Sequence, residues 1–234
     1  MAIQIGTLQE SSLHAALKDW YAQPGDDFEV QRRGYWVDIV RGATADVPEI
    51  LIEIQTGNFA AMKRKLVCLL DAYTVRVVYP LVAEKYIVRI ASKAGQVERL
   101  SRRKSSKRGH LVDLFAELVR IPQLVCSPNF SLEVLFVRIE EFWLDDGKGS
   151  WRRKGVSIFD RKLMDVLQRR VFSAPQDYLS LLPSDLPQPF TVKDLAACLG
   201  RPRWLAGRMA YALREMGCLQ VAGKRGNAFQ YVKA

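Results

Sequence analysis

Between residues 7 and 22 the apolar side chains Leu13, Leu17, Trp20 and Tyr21 recur at the spacing of a helix with one buried stripe, and QPGDD then breaks it. Three runs of strand-like composition follow, FEVQRR, GYWVDIVRG and EILIEIQT, before NFAAMKRKLVCLLDAY returns to the helical period. TVRVVYPL and KYIVRIA, rich in Val, Ile and Tyr, predict two further buried strands. Helix, three strands, helix and strands in that order predict an α/β layer with a partly parallel sheet.

The pattern then changes. From Ser92 to Gly109 the chain carries Lys93, Arg99, Arg102, Arg103, Lys104, Lys107 and Arg108 against the single Glu98, which predicts a basic loop or hairpin. Such runs are often simply solvated, but the near absence of acids favours a segment that tracks phosphates. Residues 110–121 again read as helical, SLEVLFVRIEEFWL as a strand and DDGKGSWRRKG as a charged turn. FDRKLMDVLQRRVF has helical spacing, and PSDLPQP is the clearest linker. The expected division is a domain over residues 1–150, a helical connector and linker over 151–189, and a small domain over 190–234.

Charge narrows the partner. Thirty-five Lys and Arg against 25 Asp and Glu leave the 234-residue chain at +10, which favours a polyanion such as nucleic acid, with an anionic membrane surface as the competitor. No run reaches the roughly 20 apolar residues of a spanning helix, and MAIQIGTLQESS has neither part of a signal peptide, so a cytoplasmic protein is expected. Cys68, Cys126, Cys198 and Cys218 are far apart and form no CxxC pair, so they read as reduced core residues rather than zinc ligands.

Two carboxylates stand out because they sit on otherwise apolar strands: Asp38 in GYWVDIV and Glu53 in ILIEIQT. Hard divalent cations that act on phosphodiesters take carboxylate oxygens, a carbonyl and waters, and these two acids supply such oxygens. Glu53 and Gln55, two apart on one strand, face the same side. Gly57 and Asn58 suit a strand-to-helix turn in which Asn58 caps the helix, leaving its N-terminus to favour a phosphate. Thr7 and Glu10 match a capping box, although Glu10 also lies on the stripe of Leu13 and Leu17 and would then face the sheet. His14, one turn on, suits either a local hydrogen bond or a phosphate contact.

Helix, strand with Asp, strand with Glu-x-Gln and then a basic helix resembles the PD-(D/E)XK nuclease superfamily over roughly residues 7–90. The resemblance implies a restriction-endonuclease-like mixed sheet flanked by helices. It also implies Mg²⁺ or Mn²⁺ held by Asp38 and Glu53, water positioned by Gln55, and support from Glu10. Val37 stands where Pro is usual and Gln55 where Lys is usual, and Lys63 or Lys65 in the following helix offers the missing cation. Relatives often act as dimers because cutting both strands needs two centres, so a homodimer is a further expectation.

From Phe190 the chain resembles a winged helix-turn-helix domain: Thr191 caps one helix, Gly200 ends it, Pro202 opens a second, and CLQVA-GKRGN-AFQYVK makes a basic-tipped hairpin. The resemblance implies DNA contacts from Arg201, Arg203, Arg208, Lys224 and Arg225, with Lys63, Lys65, Arg102 and Arg103 adding phosphate contacts from the first domain. Trp204 and Tyr211 suit either that surface or packing on the first domain, and such modules also grip proteins. The sequence therefore predicts a metal-dependent DNA endonuclease with a winged-helix module. The alternative is a non-catalytic DNA-binding regulator or mobile-element accessory protein on the same scaffold.

Overall fold

The computed structural model describes residues 11–42, 48–93 and 96–234, the side chains of 92–97 and Arg152 excepted. In chain order the elements are α1 (Ser12–Tyr21), β1 (Asp26–Arg32), β2 (Tyr35–Arg41), β3 (Ile50–Ile54), α2 (Phe59–Leu70), β4 (Thr74–Lys93) and β5 (Gln96–Lys104). After a 3-10 turn at Leu111–Leu114 come α3 (Phe115–Leu118), β6 (Phe130–Asp145), β7 (Val156–Phe172), α4 (Val192–Leu199), α5 (Arg203–Glu215), β8 (Leu219–Arg225) and β9 (Ala228–Lys233). The strands form a mixed seven-stranded sheet in the order β1-β2-β3-β4-β6-β7, with β5 pairing on β4, and a separate hairpin β8-β9. The fold is α/β, with β3 and β4 parallel and β1-β2, β2-β3 and β4-β5 antiparallel.

The chain divides into two compact units that interleave along the sequence. One comprises Met1–Pro24, Pro80–Gly109 and Val134–Arg169, the other Gly25–Tyr79, His110–Glu133 and Arg170–Ala234. These spans are cut differently from the expected division at 150 and 189. The 190–234 segment belongs to the same unit as the Asp38 and Glu53 strands, and an Arg201–Asp113 ion pair and an Arg208–Ala116 hydrogen bond join it to residues 113–116.

In the first unit α1 buries Leu13, Leu17 and Tyr21, as the spacing predicts, but leaves Trp20 exposed. Its cap is Ser11, whose Oγ accepts from the His14 amide; Thr7 and Glu10 lie outside the described residues. The predicted pair of strands 74–93 is one strand running through Pro80. The basic run is the arm of the β4-β5 hairpin, and several of its cations are already paired. Arg99 and Arg102 reach Glu140 at 3.1 and 2.7 Å, while Lys104 and Arg138 share Glu84 at 3.2 and 3.0 Å. Glu141 is a buried carboxylate held ionised against its burial by donors from Trp143, Lys85 and Arg161, each within about 3 Å.

The predicted helix FDRKLMDVLQRRVF is instead the edge strand β7. Its apolar residues fall three and four apart, yet Phe159, Met164, Leu167 and Val171 stay exposed and only Val156 and Phe172 are buried. The backbone ladder offered by β6 outweighs a local period in a segment with β-branched Val156, Ile158, Val166 and Val171 to suit it. Residues 110–121 are helical only in the short turns at Leu111–Leu114 and Phe115–Leu118.

The second unit packs Phe172 face to face on Tyr178, with ring centroids 4.5 Å apart, and Phe115 edge-on at 6.4 Å. The Tyr178 hydroxyl is buried without a hydrogen-bond partner, and burial drives its pKa upward. Tyr178→Phe keeps the ring and removes the stranded hydroxyl, so it is expected to be neutral or to stabilise the protein by about 1 kcal/mol. A thermal melt showing a loss of that size would instead place a donor or acceptor at the hydroxyl.

The segment from Phe190 has the predicted helix–helix–hairpin order. Thr191 and Asp194 form a reciprocal cap, Gly200 closes α4 at φ 59°, and Phe190 bridges Tyr231 through hydrogen bonds of 3.0 and 2.7 Å. Arg225 from β8 pairs with Asp194 at 2.7 Å, fastening the hairpin to α4. The four cysteines are free, but Cys126 and Cys198 are exposed rather than core residues.

Candidate functional site

Asp38 and Glu53 come from neighbouring strands. The β2-β3 ladder pairs Ile39 with Ile52, Val40 with Leu51 and Arg41 with Ile50. Continued by one step, it sets Asp38 opposite Glu53, and directly opposed residues of an antiparallel pair share a face. One Asp38 oxygen accepts the Ile54 amide at 2.7 Å. Glu53 is buried, with 6% of its surface exposed. Burial, reinforced by the negative charge of Asp38, pushes its carboxyl up to about 7 from an ordinary value of 4.5.

The opposing influence is Lys65. It lies two turns into α2, and its ammonium contacts Glu53 Oε1 and the carbonyl of Trp36. The same Oε1 has no well-angled hydrogen-bond donor, so the contact is an ion pair first and a directed bond second. The cation anticipated in this helix is thus Lys65, whereas Lys63 points to solvent. Phe59, Met62, Leu66 and Leu69 form the buried stripe of α2, and Lys65 flanks it.

Two expectations about the turn are corrected. Asn58 is left-handed at φ 56° and makes no side-chain cap. The Phe59 amide instead donates to Glu117 Oε2 at 2.9 Å, so a carboxylate already occupies the helix N-terminus proposed for a phosphate. Gln55 lies one residue past the end of β3, and its amide donates to the carbonyl of Gly57. Glu10 lies outside the described residues.

Asp38 and Glu53 are the carboxylates a small hard cation would need, and Glu53 Oε1 is already in contact with the Lys65 ammonium. Burial first, and the charge of Asp38 second, raise the Glu53 pKa, so a cation there would compete with the proton and with Lys65 for Glu53 Oε1. Among the described residues no set of three or more His, Cys, Asp or Glu side chains gathers at one point. The protein would therefore contribute Asp38 and Glu53, with carbonyls and waters completing the coordination. Sequence reasoning missed two neighbours. Trp36, on the face of Asp38, is 62% exposed. Glu29, which would oppose Asp38 in the β1-β2 ladder, is skipped by that ladder and left-handed at φ 51°. The strand alternation carried the signal for Trp36; the irregularity at Glu29 had none.

The basic residues expected to meet DNA divide into two groups. Arg201 donates to both oxygens of Asp113 at 2.5 and 2.6 Å, and Arg208 donates to the Ala116 carbonyl at 3.3 Å. Arg102, Lys65 and Arg225 are the ion-paired residues already described. Lys63, Arg103, Arg203 and Lys224 are exposed.

Residues 11–173 match the family described as Domain of unknown function (DUF8091). The chain belongs to that family. The family's domain runs from α1 to the end of β7, so it contains the Asp38, Glu53 and Lys65 cluster and stops before the helix–helix–hairpin segment. The chain is also similar to an uncharacterized protein of Treponema pallidum (strain Nichols), 33% identical over 193 residues that cover 82% of this chain and 73% of that protein. No solved structure matches. No helix among the described residues is long and apolar enough to cross a membrane.

Proposed function

We propose that this protein is a metal-dependent DNA endonuclease of the PD-(D/E)XK type whose C-terminal segment, a winged-helix module, holds the nucleic acid. The observation that carries the reading is the alignment of Asp38 with Glu53 on one face, with the Lys65 ammonium on the Glu53 carboxylate. Asp38 and Glu53 would hold Mg²⁺ or Mn²⁺. Such an ion supplies Lewis acidity toward a phosphate oxygen and lowers the pKa of a bound water. Lys65 replaces the missing motif lysine from the helix side, opposing the upward push on the Glu53 carboxyl and placing a positive charge where phosphate charge develops. Exposed Lys63 and Arg203 suit contacts to the backbone phosphates.

The second reading, a non-catalytic DNA-binding regulator, is favoured by Gln55, whose amide is engaged by Gly57 rather than presented to a water. Incubation of the intact protein with duplex, branched and single-stranded DNA in Mg²⁺ or Mn²⁺ separates the two. Cleavage is expected. Asp38→Ala and Glu53→Ala should each reduce it by more than about 100-fold, exceeding the roughly 10–100-fold cost of losing an outer supporting residue of a metal site. Intact DNA in every metal, with binding unchanged in chelator, selects the regulator.

A further inference from the structure

The helix–helix–hairpin segment presents an unusual exterior. On α5, Trp204 and Tyr211 are 56% and 42% exposed, and on β9 Phe229 is 44% exposed. Each ring carries a cation. The Arg208 guanidinium lies 4.9 Å from the Trp204 centroid, the Arg214 guanidinium 5.5 Å from Tyr211, and the Lys224 ammonium 5.1 Å from Phe229. Trp204 and Tyr211 are seven residues apart, so they lie on one side of α5, about 10 Å from each other along its axis. Gly207 lies between them in sequence, with the Val192 side chain packed beside it.

These features favour one kind of nucleic acid. Reading the edges of stacked base pairs requires free guanidinium or amide groups on the exposed side of a recognition helix. Here Arg201 and Arg208 are turned to Asp113 and Ala116, and the exposed side offers flat rings instead. Rings stack on base faces, which a duplex hides inside its own stack and a single strand leaves open. The neighbouring cations, with exposed Arg203 and Lys224, match the charge of one phosphate backbone.

We infer that the C-terminal segment binds single-stranded DNA by stacking unpaired bases on Trp204, Tyr211 and Phe229. The inference rests on the nucleic-acid-binding half of the proposed function and is independent of phosphodiester cleavage. Its occupant is a displaced strand, a flap or a loop rather than an uninterrupted duplex.

The test uses the full-length chain in chelator, so that hydrolysis plays no part, with fluorescent oligonucleotides of one sequence as single-stranded DNA, duplex DNA and single-stranded RNA. Single-stranded DNA is expected to bind at least 10-fold more tightly than duplex. Trp204→Ala, Tyr211→Ala and Phe229→Ala should each weaken it by about 5- to 100-fold, the cost of losing one stacked base. Because the rings are exposed, melting temperatures should stay within a few degrees of wild type, and Trp204→Phe should recover most of the affinity. Tighter binding to duplex, or alanine variants that bind single-stranded DNA like wild type, overturns the inference while leaving the endonuclease reading standing. Tighter binding to RNA overturns the assignment to DNA. Loss of all binding overturns both the inference and the nucleic-acid half of the proposed function.

Discussion

Lys65→Met is expected to lower the melting temperature by roughly 5–15 °C at pH 8 and by much less at pH 5. Methionine keeps the length of the side chain and removes the charge that faces the buried Glu53 carboxylate. Stranding one member of a buried ion pair costs several kcal/mol; with Lys65 partly reached by solvent, about 2–4 kcal/mol is expected, at 2–4 °C per kcal/mol for a chain of this size. The pH dependence follows from Glu53. Its carboxyl titrates near 7 in the folded protein against an ordinary 4.5. Between those values the folded state retains a proton that the unfolded state has released, so stability falls as pH rises through that window, by on the order of 3 kcal/mol from this group. Below about pH 4.5 the carboxyl is neutral in both states and the missing ammonium matters little. The variant should extend the fall above pH 7, since Lys65 is one of the groups that hold the pKa down. In the wild type, Mg²⁺ or Mn²⁺ at pH 8 should raise the melting temperature, and Asp38→Asn should abolish that rise. Melts across pH 5–8 that run parallel for wild type and Lys65→Met would show that Lys65 contributes packing alone.

Asp26→Ala is expected to be the other large loss. Its carboxylate receives the Arg41 Nε and Nη2 donors, both at 2.8 Å, its side chain is 1% exposed, and the two residues are register partners at the end of the β1-β2 pair. Removing it leaves a guanidinium against the sheet without its carboxylate, at about 2–4 kcal/mol. The loss should register as a drop in melting temperature of roughly 5–15 °C, with amide exchange in β1 accelerating first. Asp71→Ala is the internal control. It breaks the exposed pair with Arg33, at 40% and 72% side-chain exposure, and should change stability by less than about 1 kcal/mol. Equal losses in the two variants would mean that burial does not govern these pairs.

Much of the candidate site was legible in the sequence because it depends on short-range rules. Strand alternation sets the side on which Asp38 and Glu53 lie, the short gap between two apolar runs makes their strands neighbours, and two turns of helix bring a lysine back to Glu53. The helix–helix–hairpin order was legible for a similar reason, since Thr191, Gly200 and the basic turn at 223–227 act locally. What escaped depends on distant partners. Glu117 reaches the Phe59 amide across 58 positions, and Arg201 and Arg208 find Asp113 and Ala116 across 88 and 92. No local pattern distinguishes an arginine that will be satisfied internally from one left to solvent. The β7 segment was misread because its apolar spacing suits a helix, and only the edge of β6 decides for a strand.

Arg208 leans on the carbonyl of Ala116, and the very next residue, Glu117, grips the first turn of the helix that carries Lys65. Two adjacent residues of one short helix, Ala116 and Glu117, thus fasten both α5 and the first turn of α2, so loosening that helix would free both ends at once.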